Sequence, residues 1–271
     1  MKIDQSMLQQ LEILLREAAT SELMPRFRHM ERHFKRDGSI VTEADHACQD
    51  KITHALQQQW PEIALLGEEM SESQQNALIQ QSQTALWVLD PLDGTSNFAS
   101  GIACFSISLA LLVNGEVQLG LIYDPTREEC FSALAGEGAW LNGERLQASN
   151  KATMPLSNCI AQIDFKRLPK PLAAQIASNP PYSSQRSFGS GALDWCWLAA
   201  GRVQLYLHGQ QKLWDYSAGQ LILSEAGGQS CTLEGEVVFQ NSLTPRSVIA
   251  ASQREYFELW REAVFLSETL I

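Results

Sequence analysis

The sequence predicts an α+β fold, and three features carry that reading. Apolar residues recur at helical spacing near both ends, and the middle reads as strands joined by Asn-Gly turns. The second half then mixes short strands with helices. Strands joined by two-residue turns must run antiparallel. The pattern therefore argues mixed α and antiparallel β rather than a doubly wound parallel sheet. A length of 271 residues suits one large domain or two small ones.

Residues 4 to 24 read as a helix, with Met7, Leu8, Leu11, Leu14, Leu15, Ala18 and Ala19 on one stripe and Pro25 as its end. A second helix starts near Thr42, where Asp45 three residues on completes a loose capping box, and Pro61 closes it. Its core face is Ala44, Cys48, Ile52, Ala55 and Leu56. Short buried strands follow at Ile63–Leu66 and Leu86–Leu89, each ending in acidic residues. Ile107–Val113 and Val117–Tyr123 flank Asn114-Gly115, the favoured pair for a type I′ turn. Asn142-Gly143 repeats the device between Ala139–Leu141 and Arg145-Leu146. Strands are then expected at Cys159–Ile163, Val203–Leu207 and Ser247–Ala251, and helices at Leu172–Ser178, Ala192–Ala200, Ser217–Ala226 and Gln253–Leu266. Gly201 and Gly227-Gly228 serve as helix stops.

Composition narrows the function. With 45% apolar and 19% charged residues, the chain is neither disordered nor fibrous. Its net charge of −11 (20 − 31) repels polyanions, so no direct nucleic-acid contact and no anionic membrane is expected. The apolar stretch around Cys104–Val113 falls well short of the ~20 residues that span a bilayer. Met1–Gln5 turns polar and acidic at once, unlike a signal peptide. Six scattered cysteines without a CxxC pair fit reduced thiols. The expectation is a soluble, cytoplasmic protein.

The chemistry centres on Trp87-Val88-Leu89-Asp90-Pro91-Leu92-Asp93-Gly94-Thr95-Ser96-Asn97-Phe98. A buried strand delivers Asp90, and Pro91 fixes the backbone so that Asp90, Asp93 and the Leu92 carbonyl can converge. Gly94 permits a sharp turn, and Thr95 opens a short helix whose N–H groups suit a phosphate. Two carboxylates and a carbonyl are hard oxygen ligands of the kind Mg²⁺ takes. A plain Asp-Gly turn with Thr95 as helix cap explains the same residues. Three further segments bear on the choice. Leu65-Leu66-Gly67-Glu68-Glu69 is another apolar strand ending in carboxylates, or else a solvated acidic loop. Lys35–Asp45 is a basic loop running into a helix, with Asp45 near that helix's apolar edge, or else simply an acid at a helix N-terminus. Leu213-Trp214-Asp215 places an acid at a helix start, where an N-cap is the ordinary reading.

Together these segments resemble the inositol monophosphatase family of metal-dependent, lithium-sensitive phosphatases. Asp90–Phe98 fits the family's D-P-[IL]-D-G-T-x-N-F signature, and the likeness runs from about Asp37 to Gly228. Gly67-Glu68-Glu69, Val41–Asp45, Trp214-Asp215 and Glu225-Ala226-Gly227-Gly228 support it. The resemblance implies a layered α/β/α/β/α sandwich, shared with fructose-1,6-bisphosphatase, in one domain over residues 1–271 with halves of about 1–150 and 151–271. It implies that Glu68, Asp90 and the Leu92 carbonyl bind one Mg²⁺, that Asp90, Asp93 and Asp215 bind a second, and that Glu68 lies near a weaker third, with Mn²⁺ as an alternative ion. Gly94 and Thr95 would donate N–H groups to the phosphate, while Asp45 and Thr95 orient and activate a metal-activated water for in-line attack. A divalent pair also answers the repulsion that a phosphate dianion meets in so acidic a chain. The implied reaction is hydrolysis of a small phosphate monoester, inositol 1-phosphate first. Fructose 1,6-bisphosphate, 3′-phosphoadenosine 5′-phosphate and histidinol phosphate stay open as substrates. Family members commonly form homodimers, and some bacterial ones bind transcription machinery, so a mainly protein-binding role stands as an alternative.

The substrate end departs from the pattern. Gly189, Ser190 and Gly191 resemble the family's substrate loop, although a Gly/Ser turn before a helix reads the same way. With them, Asp93 and Asp215 are expected to contact substrate. Inositol-specific enzymes carry a Glu seven residues before the Trp-Asp aspartate, and here that position is His208, a candidate substrate contact or a structural residue at a strand end. His46, Asp50 and His54 imitate a metal triad, but eight helical residues rise ~12 Å, too far for one ion. His29 and His33 sit beside Arg28 and Arg32, which disfavour a cation, and Gly136–Leu141 lacks the third glycine of a dinucleotide loop.

Overall fold

The computed structural model describes residues 2–27, 33–34, 40–81, 84–146 and 154–265. Helix α1 (Gln5–Ala18) continues through a π-helical turn at Ala19–Leu23, filling the expected span of 4 to 24. Asp4 caps it by accepting the N–H groups of Ser6 and Met7. Strands β1 (His33–Phe34) and β2 (Ile40–Val41) pair antiparallel. Lys35, Arg36 and His29 lie outside the described residues, as does the side chain of His33. Helix α2 (Glu43–Gln59) starts at the expected capping box, in which Thr42 accepts from Ala44 N–H and donates to Asp45.

Next come β3 (Ala64–Gly67), α3 (Glu72–Gln80), β4 (Ala85–Asp93) and α4 (Thr95–Ala99). After them run β5 (Ser106–Val113), β6 (Glu116–Asp124), β7 (Glu129–Leu134), β8 (Gly138–Leu141) and β9 (Glu144–Arg145). The strands from β3 to β9 form one sheet in chain order, antiparallel throughout except for the parallel pair β3·β4. Both Asn-Gly turns take the left-handed backbone of a type I′ hairpin, with φ of 52° and 81° at Asn114-Gly115 and 50° and 81° at Asn142-Gly143.

The second half contributes β10 (Ile160–Asp164), α5 (Lys170–Ser178), β11 (Ser184–Arg186), α6 (Gly191–Ala199) and β12 (Leu205–Gln211). It closes with α7 (Leu213–Glu225), β13 (Gln229–Cys231), β14 (Arg246–Ala251) and α8 (Arg254–Phe265). Its sheet runs β11-β10-β12-β14-β13, and β10 lies parallel to both β11 and β12. These parallel pairs stand beside the antiparallel hairpins that the Asn-Gly turns predict. Helix α7 also starts a turn earlier than expected, because Asp215 accepts the Lys212 N–H from within its first turn and so sits at the third helical position rather than at the N-cap.

The period of two along each strand sorts the apolar residues into three cores. Trp87, Leu89, Leu109 and Leu121 pack under α1 and α2. Val88, Ala110, Ile122 and Phe131, on the other face of that sheet, meet α6 and α7, whose far side touches Tyr206, Val248 and Ala250. Ile163, Leu205, Leu207 and Ile249 then pack against α5 and α8. The result is the layered α/β/α/β/α sandwich. Because the first sheet is covered on both faces, the stretch 109–113 of β5 reads as a continuous apolar run rather than an alternation.

Candidate active site

In an uninterrupted strand, residues 90 and 93 would face opposite sides. Here Asp90 stands opposite Ser108 and Asp93 opposite Ser106, so three residues of β4 span the length of two on β5. The extra residue is a bulge, which turns both carboxylates the same way. Pro91, lacking an N–H, costs nothing at such a break. Leu92 N–H donates to Asp90 Oδ1 at 3.0 Å and locks the turn. Gly94 follows with φ of 91°, and a Cβ there would stand 2.9 Å from the Cys104 carbonyl oxygen, so glycine is needed. Asp215 comes from α7. Ser108, the partner of Asp90 on β5, donates its hydroxyl to the Trp214 carbonyl at 3.0 Å and fixes the start of that helix beside β4.

Oxygens of Asp90, Asp93 and Asp215 consequently lie within 4.8 Å of one another. Burial drives all three pKa values up, and neighbouring carboxylate charge, that of Glu68 foremost, adds to it. The Asp215 carboxyl is pushed to about 8, and Asp90 rises well above the usual carboxylate range. Asp93 rises too, against the opposing bonds from the Ser190 hydroxyl at 2.5 Å and Ala192 N–H at 2.8 Å. Glu68 follows β3, its N–H bonded to the Leu89 carbonyl at 3.0 Å, and its charge acts on all three acids. Lys212 Nζ stands 3.7 Å from Glu68 Oε1. Gln75 of α3 fixes this strand end by donating to the Gly67 and Glu68 carbonyls at 2.9 and 3.1 Å.

Thr95 Oγ1 lies 3.1 Å from Asp45 Oδ1 and 3.0 Å from the Leu92 carbonyl. The hydroxyl has one proton, so it serves these acceptors alternately. Asp45 Oδ2 is held by the N–H and hydroxyl of Thr42 at 2.8 and 2.7 Å. Burial pushes the Asp45 carboxyl to about 6 despite those bonds.

A cleft of about 220 Å³ opens over these groups, and Glu68, Asp90, Leu92, Asp93, Gly94, Thr95 and Asp215 all line it. Gly189, Ser190, Gly191 and His208 line it as well. Ser190 is wholly buried and caps α6 while donating to Asp93, so its hydroxyl positions the acid. Asn97 ties the neighbouring loop down by donating to the Phe188 and Cys104 carbonyls at 2.6 and 2.8 Å. Sequence reasoning missed Asp164, Arg167, Gln210 and Lys212, which share the lining. Their signal was positional: they follow or end β10 and β12, whose parallel pairing brings the carboxyl ends of both strands to one edge. His46, Asp50 and His54 are exposed on α2, as expected of a solvated face. The glycines of Gly136–Leu141 donate their N–H groups to the Glu225 carboxylate, at 2.7 Å from Gly136 and 2.8 Å from Gly138.

The sequence profile of the inositol monophosphatase family matches residues 4–266. Among curated relatives, Nus factor SuhB of Pasteurella multocida is 36% identical over 223 residues, covering 81% of this chain and 80% of that protein. Inositol monophosphatase 1 of Solanum lycopersicum is 33% identical over 247 residues, covering 89% and 88%. A solved IMPase of Thermotoga maritima superposes with a TM-score of 0.80 at 29% identity, covering 97% of this chain and 99% of its own.

Proposed function

The chain belongs to the inositol monophosphatase family, and we propose that it hydrolyses inositol 1-phosphate to inositol and phosphate with Mg²⁺ as cofactor. The observation that carries this reading is the convergence of buried Asp90 with half-buried Asp93 and Asp215 in the lining of the cleft. Three carboxylates at that spacing repel one another unless a cation joins them, and an all-oxygen set fits Mg²⁺, with Mn²⁺ as an alternative. In this reading Glu68, Asp90, the Leu92 carbonyl, Asp93 and Asp215 hold two or three ions. When bound, such ions neutralise phosphate charge and acidify a water.

The chain's own groups do the rest. N–H groups of Gly94 and Thr95, at the start of α4, hold the phosphate. Thr95 passes its hydroxyl proton to Asp45 Oδ1 as it takes one from the attacking water, along the 3.1 Å contact between them. A base with a pKa of about 6 is ionised at neutral pH and still basic enough for this transfer. Phosphoryl transfer needs positioning and charge neutralisation rather than a covalent nucleophile.

The reading is tested by phosphate release from a panel of esters, with and without Mg²⁺. The panel comprises inositol 1-phosphate, fructose 1,6-bisphosphate, 3′-phosphoadenosine 5′-phosphate and histidinol phosphate. Metal-dependent release from inositol 1-phosphate supports it, and preference for another ester reassigns the substrate. We further read the chain as one domain, since α6 and α7 pack against both sheets, and as cytoplasmic, since its six cysteines are free and buried. No helix among the described residues is long and apolar enough to cross a membrane. A homodimer without direct nucleic-acid contact completes the proposal; the dimer rests on family membership and the second point on the net charge of −11.

The relatives named Nus factor SuhB favour a second reading, a protein-binding role with transcription machinery. Stable capture of RNA polymerase by both the wild type and an Asp90→Asn/Asp93→Asn variant, with no cellular defect from the variant, would favour it over catalysis.

A further inference from the structure

One wall of the cleft comes from β10 and β12, which run parallel and in register so that Asp164 stands beside His208. His208 Nδ1 accepts the Gln210 N–H at 3.2 Å. The ring proton therefore sits on Nε2, 3.3 Å from Asp164 Oδ2. Both ring nitrogens are engaged within the protein, and none is left over for a ligand. Asp164 differs. Its Oδ1 accepts the Lys166 N–H at 3.0 Å, and its side chain keeps 32% of its surface exposed. An ionised carboxylate offers about four lone-pair directions, and these two bonds leave acceptor capacity on the cleft side. Burial acts to raise the pKa of Asp164, yet the His208 contact, the Lys166 N–H bond and the charge of Arg167 together outweigh it and hold the acid below the usual carboxylate range. The turn after β10 is pressed onto β12 at Gly209, where any Cβ would collide with the Arg167 carbonyl. That close approach brings the end of β10 to the lip of the cleft.

Resting on the phosphatase reading, we infer that Asp164 accepts a hydrogen bond from a hydroxyl on the alcohol part of the substrate and so discriminates among phosphate esters. His208 is then a positioning residue that aims the carboxylate. The acceptor that the family resemblance seeks at position 208 sits on the neighbouring strand instead.

Two measurements on the full chain test this. Binding of inositol 1-phosphate is followed by calorimetry with Ca²⁺ in place of Mg²⁺. With Mg²⁺, kcat/KM is measured for inositol 1-phosphate and for para-nitrophenyl phosphate, which has no alcohol hydroxyl. Asp164→Ala weakens calorimetric binding about tenfold or more, as expected for losing a hydrogen bond to a charged group. It lowers the ratio of kcat/KM between the two esters by a similar factor, mainly through KM. His208→Ala does the same, and His208→Gln, whose amide can still donate to Asp164, recovers most of the loss. Equal losses on both esters, Asp164→Ala binding within twofold of wild type, or no binding of inositol 1-phosphate by the wild type would each overturn the inference. Binding that depends on Asp164 without any hydrolysis would remove the phosphatase reading and leave the hydroxyl acceptor in place.

Discussion

Thr95 Oγ1 stands 3.1 Å from Asp45 Oδ1, joining the first turn of α4 to the capping box of α2. Asp45 thus has two jobs. One oxygen holds the N-terminus of its own helix, and the other faces the hydroxyl that lines the cleft. If that contact carries the proton, Asp45 must be ionised for turnover. Activity then falls as pH drops through about 6. Thr95→Val is expected to lower kcat by ~10²–10⁴-fold, the usual range for general acid–base catalysis. A pH–rate profile of both proteins checks this: the acid limb near 6 belongs to the wild type and is flattened in Thr95→Val.

Burial, with the charges of Glu68 and Asp93, pushes the Asp215 carboxyl from the usual carboxylate range up to about 8. A group raised in this way favours the folded state fully at low pH, and that stability is lost as pH climbs from about 4 through about 8. Metal-free protein should therefore melt lower at pH 8 than at pH 5 on this account, and millimolar Mg²⁺ should restore several degrees at pH 8. Thermal scans with a chelator and with Mg²⁺ decide it. A Tm that ignores both pH and the ion would contradict the repulsion among these acids.

Replacing Asp93 separates catalysis from stability. Asp93→Asn removes one of three mutually repelling carboxylates while leaving an acceptor for Ser190 and Ala192. The expected outcome is phosphate release lowered by orders of magnitude, with a metal-free Tm equal to or above that of the wild type. Near-normal turnover would take Asp93 out of the cation site.

Ser190 acts through Asp93. Ser190→Ala deletes both the 2.5 Å bond to that acid and the cap of α6. Loss of the cap costs about 1 kcal/mol. Loss of the bond leaves Asp93 harder to ionise, so half-saturation by Mg²⁺ moves to higher concentration. Unfolding curves read the first effect and metal titration of activity the second.

Gly94→Ala tests the bulge geometry. With φ of 91° and a Cys104 carbonyl 2.9 Å from the added Cβ, the substitution strains the turn in two ways. Destabilisation of more than ~1 kcal/mol is expected, along with a collapse of phosphate release out of proportion to it. Denaturant unfolding alongside an activity assay provides the comparison.

How far the sequence discloses this architecture depends on the range of the interaction. The capping box at Thr42 and Asp45, the Asn114-Gly115 turn and the Asp90–Thr95 segment are set by neighbours a few residues apart, and each is found where the residues indicate. Helix α3 escaped notice because its sequence is rich in Gln and Ser, with little apolar periodicity. Its one local signal is the Ser71 and Gln74 capping box. The parallel pairing of β10 with β12 joins residues more than forty apart, and no turn motif reports it. For that reason Asp164, Arg167 and Lys212 could not be placed in the cleft beforehand, while His208 entered only through its spacing from Asp215.

Carboxylates distant in the chain gather at one point, where divalent cations would join them. Crystals soaked in Mn²⁺ and measured at its absorption edge test this most directly. Anomalous peaks are expected between Asp90, Asp93 and Asp215, with Glu68 at their edge. A well-ordered cleft without a peak at millimolar Mn²⁺ would contradict it.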